Sequence, residues 1–273
     1  MEFTHDYDIT CFYSVLKDVA SNLYKNKYYK ESDLDVATIK AKSIIKYGLD
    51  INIKTGKQTK EHQFFKNGNL KLEKNVLIWD MPAIITCKQA CKNCYAVKPE
   101  RCRKNTRVMR LYNYIIIEYA LKNENFKKWL LNTMYNEIIK KCKKIELLYA
   151  FRVHTSGDLY NNDYLNFILE LANMCKNIKN LKFYTYTKQL TDEQIDNINK
   201  NFSNVNIVKS FIKIGGRYYI NYGNKEYIEK LSKLMNEHGM KHYICHYGQS
   251  SDQTCMGNCF ACLHCEYVLF VEH

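Results

Sequence analysis

The sequence predicts an α/β protein: a partial, open (β/α) barrel of about six parallel strands, preceded by helices and followed by a small cysteine-rich segment. Three observations carry this expectation. From Asn75 onward, short apolar runs alternate with longer stretches of helical period, the pattern of parallel strands joined by right-handed crossovers. About six such strands are too few for the closed barrel of eight. The 12 cysteines are also uneven, with seven of them in two tight groups, Cys87 to Cys94 and Cys255 to Cys265.

Taken in order, residues 1–73 read as a helical segment, 74–248 as the partial barrel and 249–273 as a metal-cluster segment. Phe12, Val15, Leu16, Val19 and Leu23 recur at helical spacing. A second helix is expected from an N-cap at Ser32 to Gly48, and the polar stretch from Lys54 to Asn69 reads as loop. Val76-Leu77-Ile78-Trp79 is the first buried strand. Helices are expected over 105–122 and 126–142, a strand over Leu147–Val153 and a helix over Tyr164–Cys175. Then come a strand over Leu181–Thr187, a helix near 191–201 and a strand over Val205–Ile212. A helix near 225–238 leads to a short strand at His242–Cys245, and Gly215-Gly216 marks a turn.

Composition narrows the function classes. A hydrophobic content of 46% can supply a core, which argues against a disordered chain. No stretch approaches the ~20 apolar residues that span a bilayer. The start, Met1-Glu2-Phe3-Thr4-His5-Asp6, lacks the regions of a signal peptide, so the expectation is a cytoplasmic protein with no membrane partner. In a reducing compartment, grouped cysteines read as metal ligands rather than disulfides. The net charge of +13 favours a nucleic-acid or nucleotide partner if it is clustered, and is only a solvated surface if it is scattered. The longest basic run, Lys140-Lys141-Cys142-Lys143-Lys144, ends a predicted helix, where cations suit the helix dipole.

Cys87, Cys91 and Cys94 follow the first strand with spacing Cys-x3-Cys-x2-Cys. Three thiolates can hold a [4Fe–4S] cluster with one iron open to a substrate or cofactor. A structural zinc site would need a fourth ligand, for which Cys102 is the nearest spare. Cys255, Cys259, Cys262 and Cys265 can close a complete four-ligand site, and Cys245 could replace any one of them. That site suits a second [4Fe–4S] cluster or zinc. Cys11, Cys142 and Cys175 lie on apolar helix faces and read as core. At the end of the second strand, Ser156-Gly157-Asp158 offers small residues for close backbone approach and a carboxylate for an ammonium group. Arg152 and His154 alternate on that strand and share a face, as candidate cofactor or substrate contacts. Lys98 and Arg101, beyond the first cysteine group, could meet a carboxylate or phosphate.

This order of strand, cysteine loop, helices, strand and Ser-Gly-Asp resembles the radical S-adenosylmethionine (SAM) superfamily. In that superfamily the open iron binds SAM, and a Gly-Gly-Glu-type segment after the second strand receives the SAM amino group. Asn93 stands where members usually carry an aromatic residue, and Tyr95 lies two places on. More closely, the chain resembles uncharacterised radical-SAM-like proteins of phages and mobile elements. That likeness rests on Gly68-Asn69-Leu70-Lys71-Leu72, Cys94-Tyr95-Ala96-Val97-Lys98-Pro99-Glu100-Arg101, Ser156-Gly157-Asp158, Tyr184-Thr185-Tyr186-Thr187 and the terminal cysteines, across roughly residues 65–265. The resemblance implies an enzyme that cleaves SAM reductively, with two clusters, an external electron donor and SAM bound at Ser156, Gly157 and Asp158. It implies no particular substrate. The other reading is a non-enzymatic nucleic-acid-binding protein braced by iron–sulfur clusters or zinc.

Overall fold

The computed structural model describes residues 7–68, 72, 74–87, 94, 96–144, 146–245 and 260–271. Its elements begin with α1 (Ile9–Asn22), α2 (Glu31–Tyr47), β1 (Leu49–Ile51), β2 (Gln58–Glu61), β3 (Lys66–Asn67) and β4 (Val76–Trp79). There follow α3 (Val97–Cys102), α4 (Lys104–Lys122), α5 (Glu124–Lys141), β5 (Tyr149–Val153), α6 (Asn162–Met174), β6 (Leu181–Thr187) and α7 (Asp192–Asn201). The chain continues through β7 (Val205–Lys209), β8 (Phe211–Ile214), β9 (Arg217–Ile220), β10 (Tyr222–Gly223) and α8 (Lys225–Glu237). It ends with β11 (Tyr243–Cys245), α9 (Phe260–His264) and β12 (Val268–Val271). The protein is mixed α/β, and its described residues fall into two compact units. One lies within Met1–Phe64, Asp80–Lys140 and Thr155–Leu171, the other within Phe65–Trp79, Lys141–His154 and Ala172–His273.

The first unit is largely helical. Helix α1 starts where the Asp8 carboxylate accepts the Cys11 N–H at 2.9 Å, and it buries Phe12, Val15 and Val19 at helical spacing. Helix α2 begins at Glu31 rather than after Ser32, because the Asp33 carboxylate turns back to accept the Lys30 N–H at 3.1 Å. It stops at Gly48, whose φ of 67° is the left-handed conformation that glycine supplies without strain. Tyr119 on α4 meets Phe12 edge-on at 6.2 Å and Phe126 on α5 at 5.1 Å, tying three helices together. The polar stretch from Lys54 to Asn69, expected as loop, contains β2, which pairs antiparallel with β1 just before it, and the short strand β3 of the second unit. All four residues of β2 are exposed, so no apolar alternation marks it in the sequence.

The second unit holds the main sheet, in the order β3-β4-β5-β6-β7. Strands β4 to β7 are parallel and β3 is an antiparallel edge. Every residue of β4 is buried, as expected of a continuous apolar run in a parallel sheet. Phe151 stacks on Phe183 at 4.6 Å and meets Phe65 edge-on at 4.8 Å. The expected six parallel strands are thus four in this sheet. The reason lies just after β7: only Ser210 separates it from β8, which turns through Gly215-Gly216 into β9 as a hairpin. A further parallel strand would need a crossover of a dozen or more residues. The predicted strand near Cys245 exists as β11, but it pairs with β12 in a separate three-stranded sheet, β10-β12-β11. Among the described residues no helix is long and apolar enough to cross a membrane.

Candidate metal-loop and cofactor site

The chain after β4 makes a tight turn before the first cysteines. Thr86 donates from both N–H and Oγ1 to the Pro82 carbonyl, at 3.3 and 2.8 Å, and Cys87 N–H reaches the Ile84 carbonyl at 3.1 Å. Ile84 has φ of 67°, a strained setting for a β-branched residue. Cys87 and Cys94 are both half-buried. Cys91 lies outside the described residues.

Ser156-Gly157-Asp158 lies directly against this turn. Met81 N–H donates to the Ser156 carbonyl at 2.9 Å. Gly157 has φ of 94°, and a Cβ built there would sit 2.6 Å from Met81 Cβ and 2.8 Å from Thr86 Oγ1. Only glycine fits so close an approach. Ser156 is buried, and its Oγ has no hydrogen-bond partner among the described residues. Asp158 is also buried, with Oδ1 accepting the Leu159 N–H at 2.7 Å.

A buried polar network fixes both segments. Asp80 Oδ1 accepts from Thr155 N–H at 2.7 Å, Thr155 Oγ1 at 2.6 Å and Ser156 N–H at 3.1 Å. Glu100, fully buried on α3, accepts from Asn26 Nδ2 at 2.7 Å, Tyr29 OH at 2.9 Å, Ala83 N–H at 2.8 Å and Arg110 Nη1 at 2.8 Å. Arg110 also lies 3.8 Å from Asp80. Burial pulls the Arg110 guanidinium down, but Asp80 and Glu100 together outweigh it and hold it above its ordinary value. Arg107 pairs with buried Asp33 at 2.6 Å and donates to the Glu100 carbonyl at 2.6 Å. Burial, with Glu100 beside it, keeps the Tyr29 phenol well above its usual range.

These network residues were not singled out from the sequence. The available signal was Arg107 and Arg110 on α4, three apart among Val108, Leu111 and Ile115. A charge on an apolar face implies a buried partner.

The second cysteine group lies in the other unit. Tyr186 OH donates to Cys262 Sγ at 2.8 Å, and the Arg152 guanidinium lies 5.4 Å from the Tyr186 ring and 5.9 Å from that of Tyr184. Burial, then Cys262, drives the Tyr186 phenol well above its usual range. Cys245 and Cys265 pack with Tyr186 and Phe270 on Val208 and Val268. Asn206 Nδ2 clamps the α9 turn through the carbonyls of Cys262, at 3.0 Å, and Cys265, at 3.1 Å. Lys209 is buried between Glu266 at 2.6 Å and Asp196 at 2.9 Å. Arg152 therefore belongs with Tyr186 and Cys262, while buried His154, at φ of 73°, donates its N–H to the Trp79 carbonyl at 2.8 Å.

Cys255 and Cys259 lie outside the described residues. Among the described residues no three His, Cys, Asp or Glu side chains form a metal-holding group. Cys102, the spare ligand considered for zinc, is exposed.

Cys142 and Cys175 are core residues, and burial pushes both thiols up to about 12. The thiolate is the reactive form. A thiol reagent at pH 8 is therefore expected to leave both unmodified in the native protein while labelling exposed Cys102, as read by peptide mass mapping. Labelling of all three at equal rates would contradict this assignment.

Comparison with curated proteins and with solved structures finds no match to the chain. A protein-family comparison matches residues 50–228, which include Cys87, Cys91, Cys94 and Ser156-Gly157-Asp158 but stop before the terminal cysteines. The family described as gene product 88 covers more than half of this sequence, and the chain belongs to it.

Proposed function

We propose that the chain is a radical-SAM enzyme. Cys87, Cys91 and Cys94 hold a [4Fe–4S] cluster, Ser156-Gly157-Asp158 receives SAM, and the terminal cysteines hold a second cluster. The observation that carries this reading is the packing of Gly157 against Met81 and Thr86. Two motifs some seventy residues apart in the sequence meet at the turn that delivers the first cysteine. The residues fit the cofactor in their chemistry as well. The half-buried thiols Cys87 and Cys94 are soft iron ligands, and Ser156 Oγ is a buried polar atom with no described partner.

When bound, the cluster and SAM would supply radical chemistry, given an electron from an external donor. The chain's own part is positional. The Asp80 carboxylate orients the backbone of Thr155 and Ser156, and Gly157 admits close approach. The carboxylate of Asp158 offers an acceptor to an ammonium. Glu100 and Arg110 keep the turn rigid from below. Strands β4 to β7 would form the core of the partial barrel, and the cytoplasm is the setting such clusters need.

Anaerobic purification with iron and sulfide counts tests the reading. About eight irons per chain are expected, the sum of two four-iron clusters, with SAM converted to 5′-deoxyadenosine under reduction. Cys91→Ala is expected to lose about half of the iron and all SAM cleavage. Four-coordinate zinc in both sites, without SAM cleavage, would overturn the proposal and mark a metal-braced nucleic-acid-binding protein.

A further inference from the structure

A groove of about 670 Å³ opens beside the first cysteine group. Its described walls come from three separate stretches: residues 24–28 after α1, Ile84 with Cys94 at the cysteine turn, and Val97, Lys98 and Arg101 on α3. Lys25, Lys27, Lys98 and Arg101 line it, and among the described residues no carboxylate does. The chain has many lysines, so charge alone would mean little. What marks these four is that they share the wall of one groove. Lys122, Lys127 and Lys230 each have a carboxylate within 2.7 Å, whereas none of the four groove cations forms an ion pair among the described residues. Unneutralised cations gathered on one wall attract phosphate.

Two tyrosines complete the groove. Tyr24 is 81% exposed, an apolar ring held out into solvent. Tyr28 is half-buried, with Lys27 Nζ 5.4 Å from its ring centre. Solvent-accessible rings interleaved with cations are what single-stranded nucleic acid requires: a stacking platform for bases and countercharge for the backbone. The walls are also fixed in place. Asn26, between the two tyrosines in the sequence, is buried and bonds through Nδ2 to the Ala83 carbonyl at 3.1 Å and to Glu100 at 2.7 Å. Residues 24–28 are thereby pinned to the cysteine turn and to α3.

We infer that this groove binds single-stranded nucleic acid through Lys25, Lys27, Lys98 and Arg101, with Tyr24 and Tyr28 stacking on bases, and so presents a nucleotide beside Cys94. That the bound strand is the enzyme's substrate rests on the radical-SAM reading; the binding itself does not.

The test is fluorescence anisotropy with a labelled mixed-sequence twelve-nucleotide DNA strand and its RNA counterpart, on anaerobically purified full-length protein. Iron is counted on the same samples. For four neutralised phosphates, log affinity should fall with log salt at a slope of about −3, and the Lys25→Ala/Lys98→Ala double variant should flatten it by about 1.4. Tyr24→Ala should weaken binding about 5- to 150-fold, the range for losing one base-stacking platform. Lys143→Ala/Lys144→Ala, at an exposed basic run outside the groove, should bind as the wild type does.

Equal losses from both double variants would overturn the proposal in favour of diffuse charge. So would displacement of the strand by inorganic tripolyphosphate together with an unaffected Tyr24→Ala. Strand binding with no SAM cleavage would sink the enzyme reading alone, and full iron with no strand binding would sink this one alone.

Discussion

Replacing Glu100 by alanine is expected to cost about 3–5 kcal/mol of stability, the range for removing one partner of a buried ion pair. Glu100 is fully buried and accepts from four donors, so its loss removes an acceptor from Asn26, Tyr29, Ala83 N–H and Arg110 together. The guanidinium is the costly one. Arg110 would retain the Ala96 carbonyl, at 2.9 Å, and only the more distant carboxylate of Asp80, at 3.8 Å, and its Nε already has no partner in the described structure. By contrast, the exposed pair Lys230–Glu226 should contribute no more than about 1 kcal/mol.

Denaturant unfolding of Glu100→Ala and Glu226→Ala measures the difference. A second comparison isolates the mechanism. If the uncompensated guanidinium dominates, Glu100→Leu/Arg110→Met should be more stable than Glu100→Leu alone, because the double variant no longer buries that cation away from its carboxylate. No recovery in the double variant would assign the loss to the neutral donors instead. Amide exchange at Ala83 gives a local readout, since its N–H loses its acceptor when the carboxylate goes. A cost below 1 kcal/mol for Glu100→Ala would mean that the network does not brace the cysteine turn.

How far the sequence reveals this fold depends on where each residue's partners lie. Strands β4 and β6 were legible to the residue, because the unbroken apolar run of β4 and the aromatic and β-branched run of β6 are marked locally. Helix α7 carries its own start signal, with the Thr191 hydroxyl accepting the Gln194 N–H. Strand β2 gave no signal, since all its residues face solvent. The run from Val205 to Ile212 read as one strand, and the break at Ser210 appears only when β8 pairs with β9. Strand β11 was legible as a strand but not as a partner of β12, because period reports burial and not pairing.

The site divides the same way. The spacing of Cys87, Cys91 and Cys94 and the small residues at Ser156-Gly157 are written locally. The role of Glu100 is not: its donors come from residues 26, 29, 83 and 110, and a glutamate in a short helix has nothing in its own neighbourhood to say that it is buried.

Gly157→Ala is expected to destabilise the protein by about 2–5 kcal/mol, combining backbone strain of about 1–2 kcal/mol with overpacking of about 1–3 kcal/mol. The two contributions can be separated, because other glycines also have positive φ without the crowding. Gly215 has φ of 55° and nothing within 4 Å of a built Cβ, so Gly215→Ala reports strain alone. At Gly157 the new methyl meets Met81 Cβ, which no side-chain rotation can move. The Ser156–Asp158 segment and the turn from Met81 to Thr86 must therefore separate. Thr86→Ala removes only one of the two contacts, so adding it to Gly157→Ala should recover part of the loss and no more.

Separation of these segments should also reach the chemistry. In the proposed enzyme Gly157→Ala keeps all three cysteines of the first group, so iron should stay near the wild-type count while SAM cleavage falls. Loss of iron in step with cleavage would instead place Gly157 in support of the cysteine turn alone. Equal destabilisation of Gly157→Ala and Gly215→Ala would remove the close approach itself, and with it the contact on which the functional reading depends.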